Sequence, residues 1–153
     1  MQKKDHALDK ALRSLALRAH SEKEIMEKLV HAGYDEREIA KAMAKLIEYN
    51  LLDDAEFATQ WAASRARRGL GQYRIAQELR QKGIDPETAG NAMGQIDEEV
   101  LLKNATELAE KHLRRGGDTA RRRAFDALIR RGFGYALAKD AVEQAACAIA
   151  QEE

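Results

Sequence analysis

Apolar and polar positions recur along the chain in one pattern, three times over. The blocks are IMEKLVHAGY (25–34), IAQELRQKGI (75–84) and AFDALIRRGF (124–133). Each has a small or apolar residue, a leucine four positions on, a glycine four further on, and then a large apolar residue. The positions are Ile25, Leu29, Gly33 and Tyr34; Ile75, Leu79, Gly83 and Ile84; Ala124, Leu128, Gly132 and Phe133. Ten residues past each glycine stands another apolar residue: Met43, Met93 and Val142. Residues four apart share a helix face. Glycine closes a helix because it accepts a left-handed backbone at C′. Each block therefore predicts a helix stopped at its glycine, a large residue folded back over the end, and a second helix. A period of this length is the mark of a tandem array.

Start signals agree with this division. Ser21 with Glu24 forms a capping box, Asp35 with Glu38 opens another helix, and Asp85 precedes Pro86 at a first helical position. Gly134 opens the last helix with a weaker signal. A further helix precedes each pair, over about 5–19 (Leu8, Leu12 and Leu15 on one stripe), 54–68 (Asp53 and Glu56 at its start, Phe57 and Trp61 facing the core) and 98–115 (Leu101, Ala105, Leu108 and His112). The expected architecture is all-α: three tandem three-helix repeats, helix-turn-helix-like, over 5–50, 51–97 and 98–150. No unit buries much alone, so the three stack into an elongated, curved array. Gly90 and Gly94, four apart in a helix, are expected at a close helix contact in the second unit.

Alanine supplies much of the apolar content, so the core should be thin. No run of about 18 apolar residues occurs, which excludes a transmembrane helix. The start, MQKKDHALDK, lacks a secretory core, and a cytoplasmic location is expected. The single cysteine, Cys147, lies in an alanine-rich helix and is expected to be a small buried hydrophobe. His6, His20, His31 and His112 show no metal-ligand spacing, and no nucleotide-binding, nucleophile-elbow or zinc-protease motif is present. No catalysis, cofactor or metal is expected.

Lysines and arginines number 26, and aspartates and glutamates also 26, yet the charges are segregated. Arg65, Arg67, Arg68, Arg74, Arg80 and Lys82 are opposed over that span only by Glu78. From Lys111 onward come Arg114, Arg115, Arg121, Arg122, Arg123, Arg130 and Arg131, opposed only by Asp118 and Asp126. Unpaired like charges cost stability, so these clusters are expected to face an acidic partner, either phosphate or an acidic protein groove. Arg123 and Arg130, seven apart, are expected to point outward together. The second helices, DEREIAKAM and IDPETAGNAM, are too acidic and too small to read base edges. Sequence-specific DNA recognition is not expected, while phosphate contacts remain open.

The run NLLDDAEFATQWAASRARRGLGQYRIAQELRQKGI (50–84) resembles the central signature of the RecX family, regulators of the RecA recombinase. The matching positions are Leu52, Asp53, Asp54, Phe57, Ala58, Ser64, Arg65, Gly71 and the run from Ile75 to Ile84. RAHSEKEI (18–25) and LIRRGF (128–133) also resemble family elements. The resemblance implies a non-enzymatic modulator lying in the groove of the RecA filament on single-stranded DNA. It would lower RecA's ATP hydrolysis, strand exchange and co-protease activity, and could contact single- or double-stranded DNA directly. The arginines above, with Lys82, would be the contacts, on a monomer that does not engage membranes. Two other classes are a general phosphate-contacting DNA-binding module and a helical adaptor for another protein.

Overall fold

The computed structural model describes residues 5–153; the first four residues of the basic start lie outside them. Nine helices follow one another among the described residues: α1 (His6–Leu17), α2 (Glu22–His31), α3 (Glu36–Glu48), α4 (Asp54–Arg67), α5 (Gln72–Gln81), α6 (Pro86–Gly94), α7 (Glu98–Leu113), α8 (Ala120–Arg130) and α9 (Tyr135–Glu152). Caps set most of the starts. Asp5, Ser21, Asp35, Asp53, Asp85 and Asp97 each accept a backbone N–H of the first turn with a side-chain oxygen. Ser21 and Glu24 complete a capping box. Gly71 and Gly134 make no such bond.

The three blocks end alike. Gly33, Gly83 and Gly132 have φ of 91°, 80° and 97°. In each, the residue after the glycine donates its N–H to the leucine carbonyl five residues back: Tyr34 to Leu29, Ile84 to Leu79, Phe133 to Leu128. The glycine N–H bonds three residues back, which completes a Schellman motif. Asn50, at φ 56°, and Gly69, at φ 86°, close α3 and α4 with the same bond pair.

The helices pack in threes, α1–α3, α4–α6 and α7–α9, and α4 also packs on α7. Asn104 of α7 donates to the Ala66 carbonyl at 2.8 Å, tying α7 to the end of α4. Ile25, Leu29, Ile75, Leu79, Ala124 and Leu128 are all fully buried. Two cores result. One belongs to α1–α3 with Leu52, and the other runs without interruption from Phe57 to Ala145. The chain exposes 10315 Å², against roughly 7,800 Å² for a compact monomer of this mass. That excess fits an elongated stack. No helix among the described residues is long and apolar enough to cross a membrane.

Three expectations about single residues need correction. Leu12 is 38% exposed, because α1 turns Ala7 and Ala11 inward and keeps Leu8 and Leu15 at the margin. Gly90 and Gly94 face open space, since α6 buries Ala92 and presses Ala89 and Met93 on the core. Cys147 is exposed, because α9 turns Ala138, Ala141, Val142 and Ala145 inward.

Candidate functional site

The basic residues gather where one unit meets the next, and the two joints share a plan. In both, the start of the unit's second helix lies against the end of the next unit's second helix. At the first joint, Ser21 Oγ donates to the Lys82 carbonyl at 2.7 Å and Lys23 Nζ reaches the Gln81 carbonyl at 3.3 Å. At the second, Gly71 N–H donates to the Arg131 carbonyl at 3.0 Å and Tyr73 N–H to the Gly132 carbonyl at 2.9 Å. The backbones approach so closely that a Cβ on Gly71 would strike the Gly132–Phe133 peptide, and one on Gly132 would strike Arg74. Glycine is required there by space, at Gly132 by its positive φ as well.

The first joint is electrically closed. Glu24 accepts from Arg18 Nη2 at 2.8 Å, from Lys82 Nζ at 3.0 Å and from the Ser21 N–H at 3.1 Å. Burial pushes the Glu24 carboxyl up, but these hydrogen bonds outweigh it and hold the group at about 2. Beside it, Glu78 accepts from Arg65 Nε and Nη2 at 2.9 and 2.7 Å and from Trp61 Nε1 at 3.2 Å. The Lys82 ammonium lies 4.8 Å from the centre of the Trp61 ring, which stacks on Phe57.

Several basic residues of the third unit are likewise engaged inside the molecule. Arg114 grips Glu152 with two bonds, at 2.8 and 2.7 Å, pinning the end of α9. Arg121 meets Glu143 at 2.9 Å, and Arg122 lies 3.9 Å from Asp126. Arg123 does not point outward beside Arg130. Its guanidinium folds back to the Gly116 carbonyl at 2.6 Å and Thr119 Oγ1 at 3.1 Å, closing the α7–α8 turn. Among the described residues, Arg67, Arg68, Arg80, Lys111, Arg115, Arg130 and Arg131 have no carboxylate within 4.0 Å, and Arg74 only grazes Glu78 at 4.0 Å. The local shortage of acids in the sequence is thus made good in space for some arginines and not for others.

Three of these uncompensated cations converge with Arg74. A groove of about 430 Å³ at the second joint is lined by Arg74, Lys111, Arg130 and Arg131, with His112, Leu70, Leu108 and Ala127, and by no carboxylate. His112 is pushed down by burial first, then by Arg115, Arg130 and Lys111. The sequence had marked Arg74, Arg130 and Arg131 but neither Lys111 nor His112 as contacts. The joint sets the start of α5, with Arg74, against the end of α8, with Arg131. No group of three or more potential metal ligands occurs among the described residues. The groove offers charge and hydrogen-bond donors for an anion.

The model of the RecX first three-helix domain matches residues 7–46, and that of the RecX second three-helix domain matches 53–93. The chain belongs to the RecX family. Among RecX relatives, the regulatory protein RecX of Chlorobaculum tepidum is 37% identical over 142 residues, covering 92% of this chain and 89% of its own. That of Mycobacterium sp. strain JLS is 37% identical over 140 residues, covering 86% and 76%. The crystal structure of RecX from Lactobacillus salivarius matches the fold with a TM-score of 0.85 at 22% identity, covering 93% of this chain and 96% of that one. The RecX fold therefore extends through all three helix triplets, and the family is one of regulatory proteins, not enzymes.

Proposed function

We propose that this chain binds the RecA filament assembled on single-stranded DNA, lies in its groove as a monomer, and lowers RecA's ATP hydrolysis, strand exchange and co-protease activity. The units 5–50, 51–97 and 98–150 act together as one array. Membership of the RecX family supports the regulatory part of this reading. The observation that carries the surface is the carboxylate-free groove of Arg74, Lys111, Arg130 and Arg131, in which, among the described residues, only Arg74 comes within 4.0 Å of a carboxylate, that of Glu78. Arg67, Arg68, Arg80 and Arg115 are further cations with no carboxylate within 4.0 Å among the described residues. Arg65, Lys82 and Arg114 are held by internal carboxylates and serve the fold first.

The test is ATP hydrolysis by a preformed RecA filament while the protein is titrated in. Hydrolysis should fall at levels well below those of RecA, and Arg130→Glu with Arg131→Glu should demand at least about tenfold more protein for the same fall. No fall at any level would sink the reading. A second reading, a phosphate-contacting DNA binder without RecA specificity, is favoured by the same groove. It predicts a fall only once the protein saturates the DNA.

A further inference from the structure

The two joints differ in what holds them. Across the second, the units share one buried core, α4 packs on α7, and two main-chain hydrogen bonds tie the start of α5 to the turn after α8. Across the first, the cores are separate. The first unit closes its own around Ile25, Leu29, Ala42 and Leu46, and the next begins only at Phe57. Helix packing between these two units is at most marginal among the described residues. Beyond the connecting chain, four hydrogen bonds span this joint among the described residues, and each uses a side chain. They are Ser21 Oγ to the Lys82 carbonyl, the Glu22 N–H to Asp54 Oδ1 at 2.9 Å, Lys23 Nζ to the Gln81 carbonyl, and Lys82 Nζ to Glu24.

The connection is short as well. Leu52 is buried in the core of the first unit, and the next residue, Asp53, caps α4. A single peptide link therefore separates the two packed bodies. Beside it lies a cleft of about 170 Å³, lined by Leu15 and Ala19 of the first unit and by Glu56, Phe57 and Gln60 of α4. Open space, not interlocked side chains, stands at this point. The charged pair across the joint can also part without leaving either charge alone. Glu24 keeps Arg18 at 2.8 Å and the Ser21 N–H at 3.1 Å, both within the first unit. Lys82 keeps the Trp61 ring at 4.8 Å, within the second.

We infer that the first joint is a hinge. The first unit swings as a rigid body about the Leu52–Asp53 link, against a fixed block of the second and third units, with Glu24 and Lys82 as the latch. Hinges concentrate the backbone change in a few residues at the ends of elements. Shared apolar burial fixes a joint, and only the second has it. Ion pairs between part-exposed side chains contribute little each and fade as salt rises. A partner that touches the first unit and the block together sets the angle between them.

The test uses the full chain alone, so its outcome does not depend on the filament reading. Cys147, exposed on α9, takes one nitroxide label. The second label goes on Arg37→Cys in α3, across both joints, or on Glu87→Cys in α6, across the second joint only. Pulsed electron resonance then gives the two distance distributions. The pair at 87 and 147 should show one narrow distance that salt does not move. The pair at 37 and 147 should show two, with molar salt enlarging the minor one. Glu24→Gln and Lys82→Gln break the latch from either side. Each should raise the minor share by about threefold or more, with helical circular dichroism unchanged. A single narrow distance between 37 and 147, moved neither by salt nor by either variant, would overturn the hinge. Equal broadening of both pairs would overturn its assignment to the first joint. Broadening with loss of helical signal would overturn the rigid pivot in favour of local unfolding.

Discussion

At the first joint a serine hydroxyl reaches the neighbouring carbonyl of Lys82, and at the second a glycine N–H reaches that of Arg131. The partner carbonyl is equivalent, but the means differ. A side chain keeps the two backbones apart at the first joint and leaves room for Glu24 to gather Arg18 and Lys82. Glycine lets the backbones touch at the second, so geometry is fixed by main-chain bonds that place no demand on the side chains. Position 74 then needs no carboxylate to hold the joint and carries a positive charge that only grazes Glu78, at 4.0 Å. The comparison teaches that one repeat can separate holding from binding by changing which atoms do the holding.

The sharpest way to break the comparison is Gly71→Ala. Position 71 has φ of −83°, so alanine meets no backbone strain there, only the Gly132–Phe133 peptide. It should cost about 3 kcal/mol or more, read by urea unfolding, with the 57–145 core loosened. A cost under about 1 kcal/mol would show that the second joint does not depend on this approach.

Next comes the first joint. Glu24→Gln should cost about 1–2 kcal/mol, because it leaves the half-buried Lys82 without its carboxylate. Its pH dependence follows from the sign of the shift. The folded carboxyl is held at about 2, against an ordinary 4.5, so its stabilisation is complete above the latter and is lost as pH falls towards the former. Unfolding at neutral pH and near pH 3 (roughly the middle of that window) should show a steep loss in the parent chain and a shallower one in Glu24→Gln. His20 adds an earlier acid step. Burial lowers its pKa below the ordinary 6.5, partly opposed by the bond to the Arg18 carbonyl, and its Nε2 is buried without a partner. The neutral ring is the stable form, so stability should begin to fall as pH drops below that value. His20→Gln should remove this first step from the profile.

Away from both joints, Gly90→Ala should stabilise by about 0.5–1 kcal/mol. The position is helical, exposed and surrounded by open space. A loss would show that the space around Gly90 is occupied in solution, contrary to its open setting here. The smallest effect should come from Arg74→Glu, which sets a carboxylate beside Arg131 as at the first joint but exchanges the Arg74–Glu78 contact for a like-charge pair. The two offset each other, so the melting temperature of the free protein should change by the equivalent of less than about 0.5 kcal/mol.

The repeats, caps and helix ends were legible because they depend on residues three to five apart. Ser21 with Glu24, and Gly83 with Ile84, act within one turn, so a linear pattern contains them whole. The state of the arginines was not legible in the same way. The carboxylate that holds Arg114 stands 38 residues away, the one that holds Arg121 stands 22 away, and Glu24 meets Lys82 across 58. A local count of acids read all three as unpaired. Gly90, Gly94 and Cys147 failed differently. Spacing put the two glycines on one face of α6, and an alanine-rich setting marked Cys147 as core, but neither signal tells which face the neighbours cover.

By itself, then, the sequence determined the helices, their stops and their threefold recurrence, because each is a short-range balance of capping, backbone freedom and apolar spacing. Its family signature over 50–84 also pointed to RecX. Tertiary structure decided which charges are spent inside the molecule and which are left over. Stacking brings Arg74 of the second unit to Arg130 and Arg131 of the third. Coulombic pairing depends on distance in space, and that distance exists only once the units are stacked.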